Sequence, residues 1–581
     1  MIFIMERSHV IRPAFLLAAT ALVFPAAAVA QQAQFSTERL KQHVQTLGSD
    51  AYEGRGVATR AETKTVDYLI SQFKAAGVQP GGDIVNGKRQ WTQKVPLLKS
   101  DIVGTQHLEF RTPTGAVALN QGQQIAVRAP LNGQREVALN AVPMVFAGYG
   151  VTAPERQWDD FKDVDVRGKV IVVLVNDPDF EGGEGNFGGK AMTYYGRWTY
   201  KYEEAARRGA AGVLVVHETE PASYGWNTVK NSNTNTMFDI VRQNPRASHA
   251  PLEGWIQRDV AANLLRDAGI DFEAAKQAAK RRDFRPMDMK STFTAHYGAK
   301  TEVINSQNVV GLLPGKTRPD ETVIYSGHWD HLGIGLPQAD GDRIYNGALD
   351  NATGISHILE QARAFARGPR PDRSIVFLAV TAEEKGLLGS EYYARNPLYP
   401  AAKTVGVLNT DSMGVFGRER DFSISGTAKL DLLDLLIAEG RRQGRTFTAD
   451  PHPESGGFYR SDHFTMAKVG IPAISFKPGL NLVNGGIARG EAISKEYTEK
   501  RYHQPDDEYQ PSWDFSGMAE DAALLHAVGL RLANGNDWPN WSQDSEFRAA
   551  RDQSAAERMG SGPAPAAQPL PAEQPQSGER G

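Results

Sequence analysis

Four short runs rich in β-branched and apolar residues, at 323–326, 374–380, 404–408 and 472–476, alternate with helical stretches between residues 300 and 535. This alternation constrains the fold more than any other feature, because a strand followed by a crossover helix rejoins its sheet parallel to its predecessor. The expectation is an α/β fold, a mainly parallel mixed sheet with helices on both faces. Open sheets of this kind bind ligands at the carboxyl ends of their strands, so the residues just after each run are the ones to inspect.

Those residues are of one chemical type. The first run leads into Gly327-His328-Trp329-Asp330, the second into Thr381-Ala382-Glu383-Glu384-Lys385-Gly386 and the third into Asn409-Thr410-Asp411-Ser412. Between the first two, the segment NGALDNATG at 346–354 places Asp350 ahead of a helix expected near 354–365, and Tyr502-His503 supplies a second imidazole. With no Cys in the chain, disulfides, iron–sulfur clusters and thiolate ligands are excluded, so any metal is held by His, Asp and Glu. A pair of divalent ions at about 3.5–4 Å needs two terminal ligands each and one bridge. Asp350 is the natural bridge, with His328 and Asp411 on one ion and Glu384 and His503 on the other. Asp330 is expected to hold the His328 imidazole N–H and fix its tautomer. Adjacent side chains in an extended or loop segment diverge, so Glu383 and Glu384 do not share one job: Glu384 ligates, and Glu383 is the general base.

Taken singly, each residue has a plainer reading; an Asp ahead of a helix is usually a cap. The complete two-metal set outweighs those readings. The other histidines keep them: His331 lines the cleft, His463 belongs to a pocket-forming SDHF at 461–464, and His357 packs on the helix after Asp350. Tyr502 is a candidate donor to a developing oxyanion.

The motifs GHWDHLG at 327–333, NGALDNATG at 346–354, TAEEKGLLGS at 381–390, LNTDSMG at 408–414 and SDHF at 461–464 followed by GIPAISF resemble the co-catalytic zinc exopeptidases of metallopeptidase family twenty-eight. SDAYEGRG at 49–56 resembles the opening segment of that family, so the likeness touches both ends of the catalytic domain. The resemblance implies two zinc ions on His328, Asp350, Glu384, Asp411 and His503, with Glu383 as the base. It also implies peptide substrates and an aminopeptidase. One departure is Gln504, where many members place Thr after the ligand His. The segments FAGYGVTAPERQWDDFKDVDVRGKVIVVLVNDPDF and KYEEAARRGAAGVLVVHE are similar to the protease-associated domain carried by several such peptidases.

The expected organisation is therefore a signal peptide at 1–30, a discontinuous catalytic domain at 31–135 and 290–540, an inserted β-rich protease-associated domain at 136–289, and a disordered Pro/Ala/Gln-rich tail at 541–581. The leader reading rests on Arg7, His9 and Arg12 ahead of an apolar run at 14–24 and a small-residue site at 28–30. Export to the periplasm or the extracellular space follows from it. The run is too short to span a bilayer, so no stable membrane span is expected once the leader is removed. A balance of 64 Lys+Arg against 68 Asp+Glu offers no basic field for nucleic acid. Oligomeric state has no signature in the sequence. Alternatives to an aminopeptidase are a carboxypeptidase, with Arg460 as one candidate for the substrate α-carboxylate, a glutaminyl-cyclase-like enzyme, and a non-catalytic receptor-like binding protein.

Overall fold

The computed structural model describes residues 35–335, 337–338 and 341–559; the expected leader and the end of the expected tail lie outside them. Helix α1 (Thr37–Leu47) is capped by the Ser36 hydroxyl, and α2 (Arg60–Ala76) by that of Thr59. Gly77, at φ +89°, ends α2 in the left-handed conformation. Strand β1 (Thr92–Thr112) then leaves the catalytic region and enters a second unit.

In that unit β2 (Glu136–Phe146), β3 (Val170–Leu174), β4 (Gly212–His217) and β5 (Glu253–Gln257) pair in this order, all parallel, with α3 (Trp198–Arg207) following β3. Residues of β3 and β4 divide by parity. Val170, Val172, Leu174, Leu214 and Val216 enter one core, and Ile171, Val173, Val213 and Val215 the other. A strand with both faces buried reads as the unbroken apolar run seen in the sequence.

The chain returns on β6 (Met287–Leu313), antiparallel to β1 from Val309↔Thr92 to Thr292↔Arg111. These two strands belong to both units. Leu108, Phe110, Ile125 and Val127 on one side of the expected insert, and Phe293, Ala295 and Tyr297 on the other, all lie in a core of the second unit. The expected boundaries at 136 and 289 are therefore too narrow. The physical reason is that one uninterrupted strand crosses each junction, so neither a turn nor a change of composition marks it.

The catalytic sheet follows: β7 (Arg318–His328), α4 (Thr353–Arg367), β8 (Arg373–Val380), α5 (Leu388–Arg395), β9 (Thr404–Thr410), β10 (Asp421–Ile424), α6 (His463–Lys468) and β11 (Ala473–Pro478). Its centre, β8-β7-β9-β11, is parallel, while β6 and β10 join antiparallel at either side. Helices cover both faces, as expected. Val323, Tyr325, Ile375, Phe377 and Ala379 meet α1, α2, α4 and the later helix Ser516–Asn534; Ile324, Val376, Leu378 and Val380 meet Tyr393 of α5 and Met466 of α6.

Helix α7 (Gly486–Lys500) precedes His503, and α8 (Ser516–Asn534) closes the sheet. Residues 541–559 correct the expected tail. They form an ordered segment ending in α9 (Arg548–Arg558), with Trp541 and Phe547 buried against Phe458. The Arg551 guanidinium donates to the carbonyls of Thr404, Val405 and Pro539. Average composition hides such a segment, since its anchors are two aromatics and one arginine. Among the described residues no helix is long and apolar enough to cross a membrane.

Candidate metal centre

The carboxyl ends of β7, β8 and β9 and the turn ahead of α4 each deliver one part of a single cluster. His328 is the last residue of β7, Asp350 sits in an irregular turn (Ala348–Ala352) ahead of α4, Glu383 and Glu384 open a single helical turn (Glu383–Lys385) after β8, and Asp411 follows β9. The Asp350–Asn351 peptide is cis. Gly347 starts this turn at φ +56°, and a Cβ there would stand 2.2 Å from the Asp350 carbonyl oxygen and 2.5 Å from Cγ of His331, so the position takes only glycine.

The two oxygens of Asp350 face different imidazoles. Oδ1 lies 3.3 Å from His328 Nε2, and Oδ2 lies 3.4 Å from His503 Nε2. His328 Nε2 is also 3.4 Å from Asp411 Oδ1, and His503 Nε2 is 3.2 Å from Glu384 Oε2. All five residues read from sequence as ligands are thus brought together, with Asp350 between the two halves. Donor atoms of His328, Asp350 and Asp411 fall within one ion's reach, as do those of His331, Asp350 and Glu384, and those of His328, Glu383 and Glu384.

Two assignments change. The Nδ1 of His328 faces the backbone carbonyl of Asp330 at 3.1 Å, whereas the Asp330 carboxylate is 3.9 Å away. That carboxylate accepts the backbone N–H groups of Glu383 at 3.1 Å and Glu384 at 3.4 Å, so Asp330 fixes the glutamate turn with its side chain and the imidazole with its main chain. His331, expected only to line the cleft, has Nδ1 2.7 Å from Glu384 Oε1 and its ring against that of His503. Neither ring nitrogen of His331 has another partner among the described residues. A buried His331 and a His503 side chain 36% exposed thus address the same carboxylate from opposite sides.

Electrostatics separates the paired glutamates. Burial pushes the Glu383 carboxyl well above its ordinary range, and Glu384, Asp411 and Asp462 reinforce this against His328. Burial would raise Glu384 as well, but His503 and His331 hold it well below. His503, despite burial, is held up to about 10 by Glu384 and Asp350. A buried set with this many carboxylates around its imidazoles is short of positive charge, and hard oxygen and imidazole donors converging without thiolates suit zinc or its neighbours. The residues therefore fit a pair of divalent cations.

Two further residues hold the cluster and a third lies beside it; all three escaped the sequence reading as parts of it. Arg55, 1% exposed, donates Nε to the Trp329 carbonyl at 2.8 Å, Nη1 to those of Leu47 and Asn346 at 2.7 and 2.6 Å, and Nη2 to that of Gly347 at 2.7 Å. It stands in the SDAYEGRG segment, whose motif was visible but whose task was not. Asp507 accepts the backbone N–H groups of Leu349 and Asp350, both at 3.0 Å, and so aims the bridging carboxylate. Asp462 is buried beside the cluster with both carboxylate oxygens unpartnered, and burial pushes it up to about 7.

The remaining candidates are placed as follows. His463 is buried edge-on against Phe458, and burial pushes it down to about 3. His357 is buried next to Gln361, equally low for the same reason. Tyr502 stacks on His503 with centroids 3.9 Å apart.

A model of Peptidase family M28 matches residues 308–527, which hold all five expected ligands and Glu383. A "Probable zinc metalloprotease" of Pyricularia oryzae is 38% identical over 111 residues, 19% of this chain and 22% of its own. A protein of the same description from Pyrenophora teres f. teres is 34% identical over 111 residues, 19% of this chain and 23% of its own. The chain thus spans less than a quarter of the length of these relatives. Among solved structures, the aminopeptidase from Aneurinibacillus sp. strain AM-1 aligns over 88% of this chain and 96% of its own at 18% identity, with a TM-score of 0.47.

Proposed function

We propose, from the premise that residues 308–527 are a Peptidase family M28 domain, that this chain is a zinc exopeptidase releasing N-terminal residues from peptides. The observation that carries the reading is the split of Asp350 between His328 and His503, each with a second carboxylate of its own. That is the donor arrangement of a two-ion centre, with His328 and Asp411 on one side and Glu384 with His503 on the other. Zinc bound there would polarise a scissile carbonyl and make water a better nucleophile at neutral pH.

The chain's own residues then divide the work. Glu383 is a carboxyl whose affinity for a proton burial raises, the property of a group that, once ionised, takes a proton from the attacking water and passes it to the leaving nitrogen. Asp330 holds its main chain in place, and Asp507 does the same for Asp350. The second unit, which we read as protease-associated in type from its sequence resemblance, packs against the segment that carries Asp462: Tyr194 packs on Phe464 and Tyr459, and Glu203 pairs with Lys468 at 2.7 Å. A unit seated beside the cleft would favour short peptides. Export, on the strength of the segment at 1–30, belongs to the same reading.

A carboxypeptidase is the second reading, for which Arg460, exposed at the end of the turn Gly457–Arg460 ahead of the buried Asp462, is the candidate for the substrate α-carboxylate. The two separate in one experiment. Matched peptides with free or acetylated N-termini are incubated with the protein, with and without a chelator, and the products are identified by mass. Chelator-sensitive loss of the first residue from free peptides alone is the expected result; loss of the last residue from both forms would overturn the aminopeptidase. Glu383→Gln is expected to lower kcat by about 10²–10⁴ with zinc content unchanged.

A further inference from the structure

The turn that carries both glutamates has an unfavourable backbone. Ala382, just ahead of Glu383, has φ +54°, and Leu387, just after the turn, has φ +62°. A residue other than glycine keeps this left-handed conformation only where its surroundings leave no alternative. Part of the restraint comes from the catalytic unit itself. The Asp330 carboxylate accepts the N–H groups of Glu383 and Glu384, and the Ala382 carbonyl accepts that of Leu388 at 3.0 Å.

The rest arrives from the expected insert. The short strand Met237–Ile240 runs antiparallel to β1, from Met237↔Ser100 to Ile240↔Leu97, and lies against both the glutamate turn and α5. Its alternate residues face different cores. Met237 joins Ala129 and Leu131, whereas Phe238 and Ile240 join Val95 and Leu97 of β1 together with Ala382 and Leu388. The second of these cores therefore brackets the turn, at Ala382 before it and at Leu388 after it. The Lys385 ammonium, within the turn, stands over the Phe238 ring 5.8 Å from its centre. Arg242 ties the strand to α5, donating Nε and Nη2 to Asp239 at 2.6 and 2.7 Å and Nη1 to Glu391 at 3.0 Å.

We propose that Phe238 and Ile240 are positioning residues for catalysis: by holding Ala382, Lys385 and Leu388 they set the direction in which Glu383 and Glu384 leave the turn. The second unit then has a part in the chemistry besides its seat beside the cleft. This rests on the exopeptidase reading above and adds to it two residues that act through the turn.

The test compares three kinds of variant. Phe238→Ala and Ile240→Ala remove the contact, Phe238→Leu and Ile240→Val keep most of it, and Met237→Ala empties the core on the other face of the same strand. Phe238 is half-buried, so its variant still tests the contact if Ile240→Ala does not fold. Values of kcat and KM are measured on free peptides well below each melting temperature. A displaced catalytic group costs about 10–100-fold, so kcat in Phe238→Ala and Ile240→Ala is expected to fall by that factor with KM nearly unchanged. It recovers in the conservative pair and stays at the wild-type level in Met237→Ala, even though that variant melts lower. Hydrogen exchange of the amides at 382–388, read with zinc bound, quickens in the first two variants and not in Met237→Ala. Wild-type kcat in both Phe238→Ala and Ile240→Ala, or an equal loss in Met237→Ala, overturns the proposal. If the wild-type protein cleaves no peptide, the exopeptidase reading fails by itself; the exchange comparison still decides the positioning role, and equal rates across the variants overturn it.

Discussion

Replacing Arg55 by Met removes four donors from the carbonyls of Leu47, Trp329, Asn346 and Gly347 without changing the backbone around them. Charge-assisted bonds contribute about 1.5–3 kcal/mol each, so four would total roughly 6–12 kcal/mol before any opposing cost. Burial opposes them: it pulls the guanidinium from 12.5 to about 10, which is worth about 3 kcal/mol against the charged form. The carbonyls of Leu47, Trp329 and Asn346 also lose this donor, whereas that of Gly347 keeps the Ala352 N–H. The expected loss is at least about 4 kcal/mol, at the upper end for single substitutions. At about 2 °C per kcal/mol for a unit this large, the transition of the catalytic sheet drops by ~8 °C or more. Three of the carbonyls flank the ligands, so zinc affinity is expected to weaken by about 10–100-fold as well. Lysine offers three donors on one point and restores a minor part. Scanning calorimetry reads the first effect, and competition with a zinc-binding dye the second. An Arg55→Met protein that unfolds at the wild-type temperature and holds zinc equally well would refute the idea that the opening segment latches the metal loops.

Asp507→Asn keeps one acceptor and turns an amide towards an N–H, so one of the bonds to Leu349 and Asp350 is lost; zinc affinity should fall about 10–100-fold in the same dye competition, and unchanged affinity would remove Asp507 from the support of the bridge. His249 lies 3.0 Å from both Asp239 and Glu253, and although burial opposes its charge these partners hold it up to about 9. Its folded value exceeds the unfolded 6.5, so its contribution, up to about 3 kcal/mol, is complete below pH 6.5 and is lost as pH rises through 9; His249→Gln should flatten the melting temperature across that window, and a slope like the wild type's would sink the assignment. A chain ended after residue 559 should melt as the full chain does. One ended after 540 loses Trp541, Phe547 and Arg551, and should melt several degrees lower, since burial of each aromatic contributes about 1.5–3 kcal/mol; equal melting of both would show that α9 adds nothing.

The strands and the ligands were legible for the same reason. A buried parallel strand must be an apolar run, and a ligand must sit where the run stops, so His328, Glu384 and Asp411 could be located by reading two to four residues past each run. Asp350 and His503 required the logic of a complete ligand set, because each lies in a loop with no strand of its own ahead of it. What could not be read was long-range and addressed to the backbone. Arg55 meets carbonyls up to 292 residues away, and Arg551 meets carbonyls at the start of β9; a carbonyl has no letter in a sequence. His331 differs again, since its spacing from His328 was visible but its direction depended on the turn at Gly347. The unit boundaries failed because β1 and β6 run through them unbroken.

Those two strands also decide how the molecule can move. Between Ala299 and Asn308, β6 has β1 as its only neighbour among the described residues, and near Gly298 the register slips. The units are therefore joined by a flat ribbon of β1 and β6, widened to three strands where Met237–Ile240 pairs with residues 97–100 of β1. A pair of linkers would allow free swivelling, whereas a ribbon resists stretching and yields in twist. A twist of this ribbon turns the Tyr194–Gly196 edge of the second unit relative to the metal cluster.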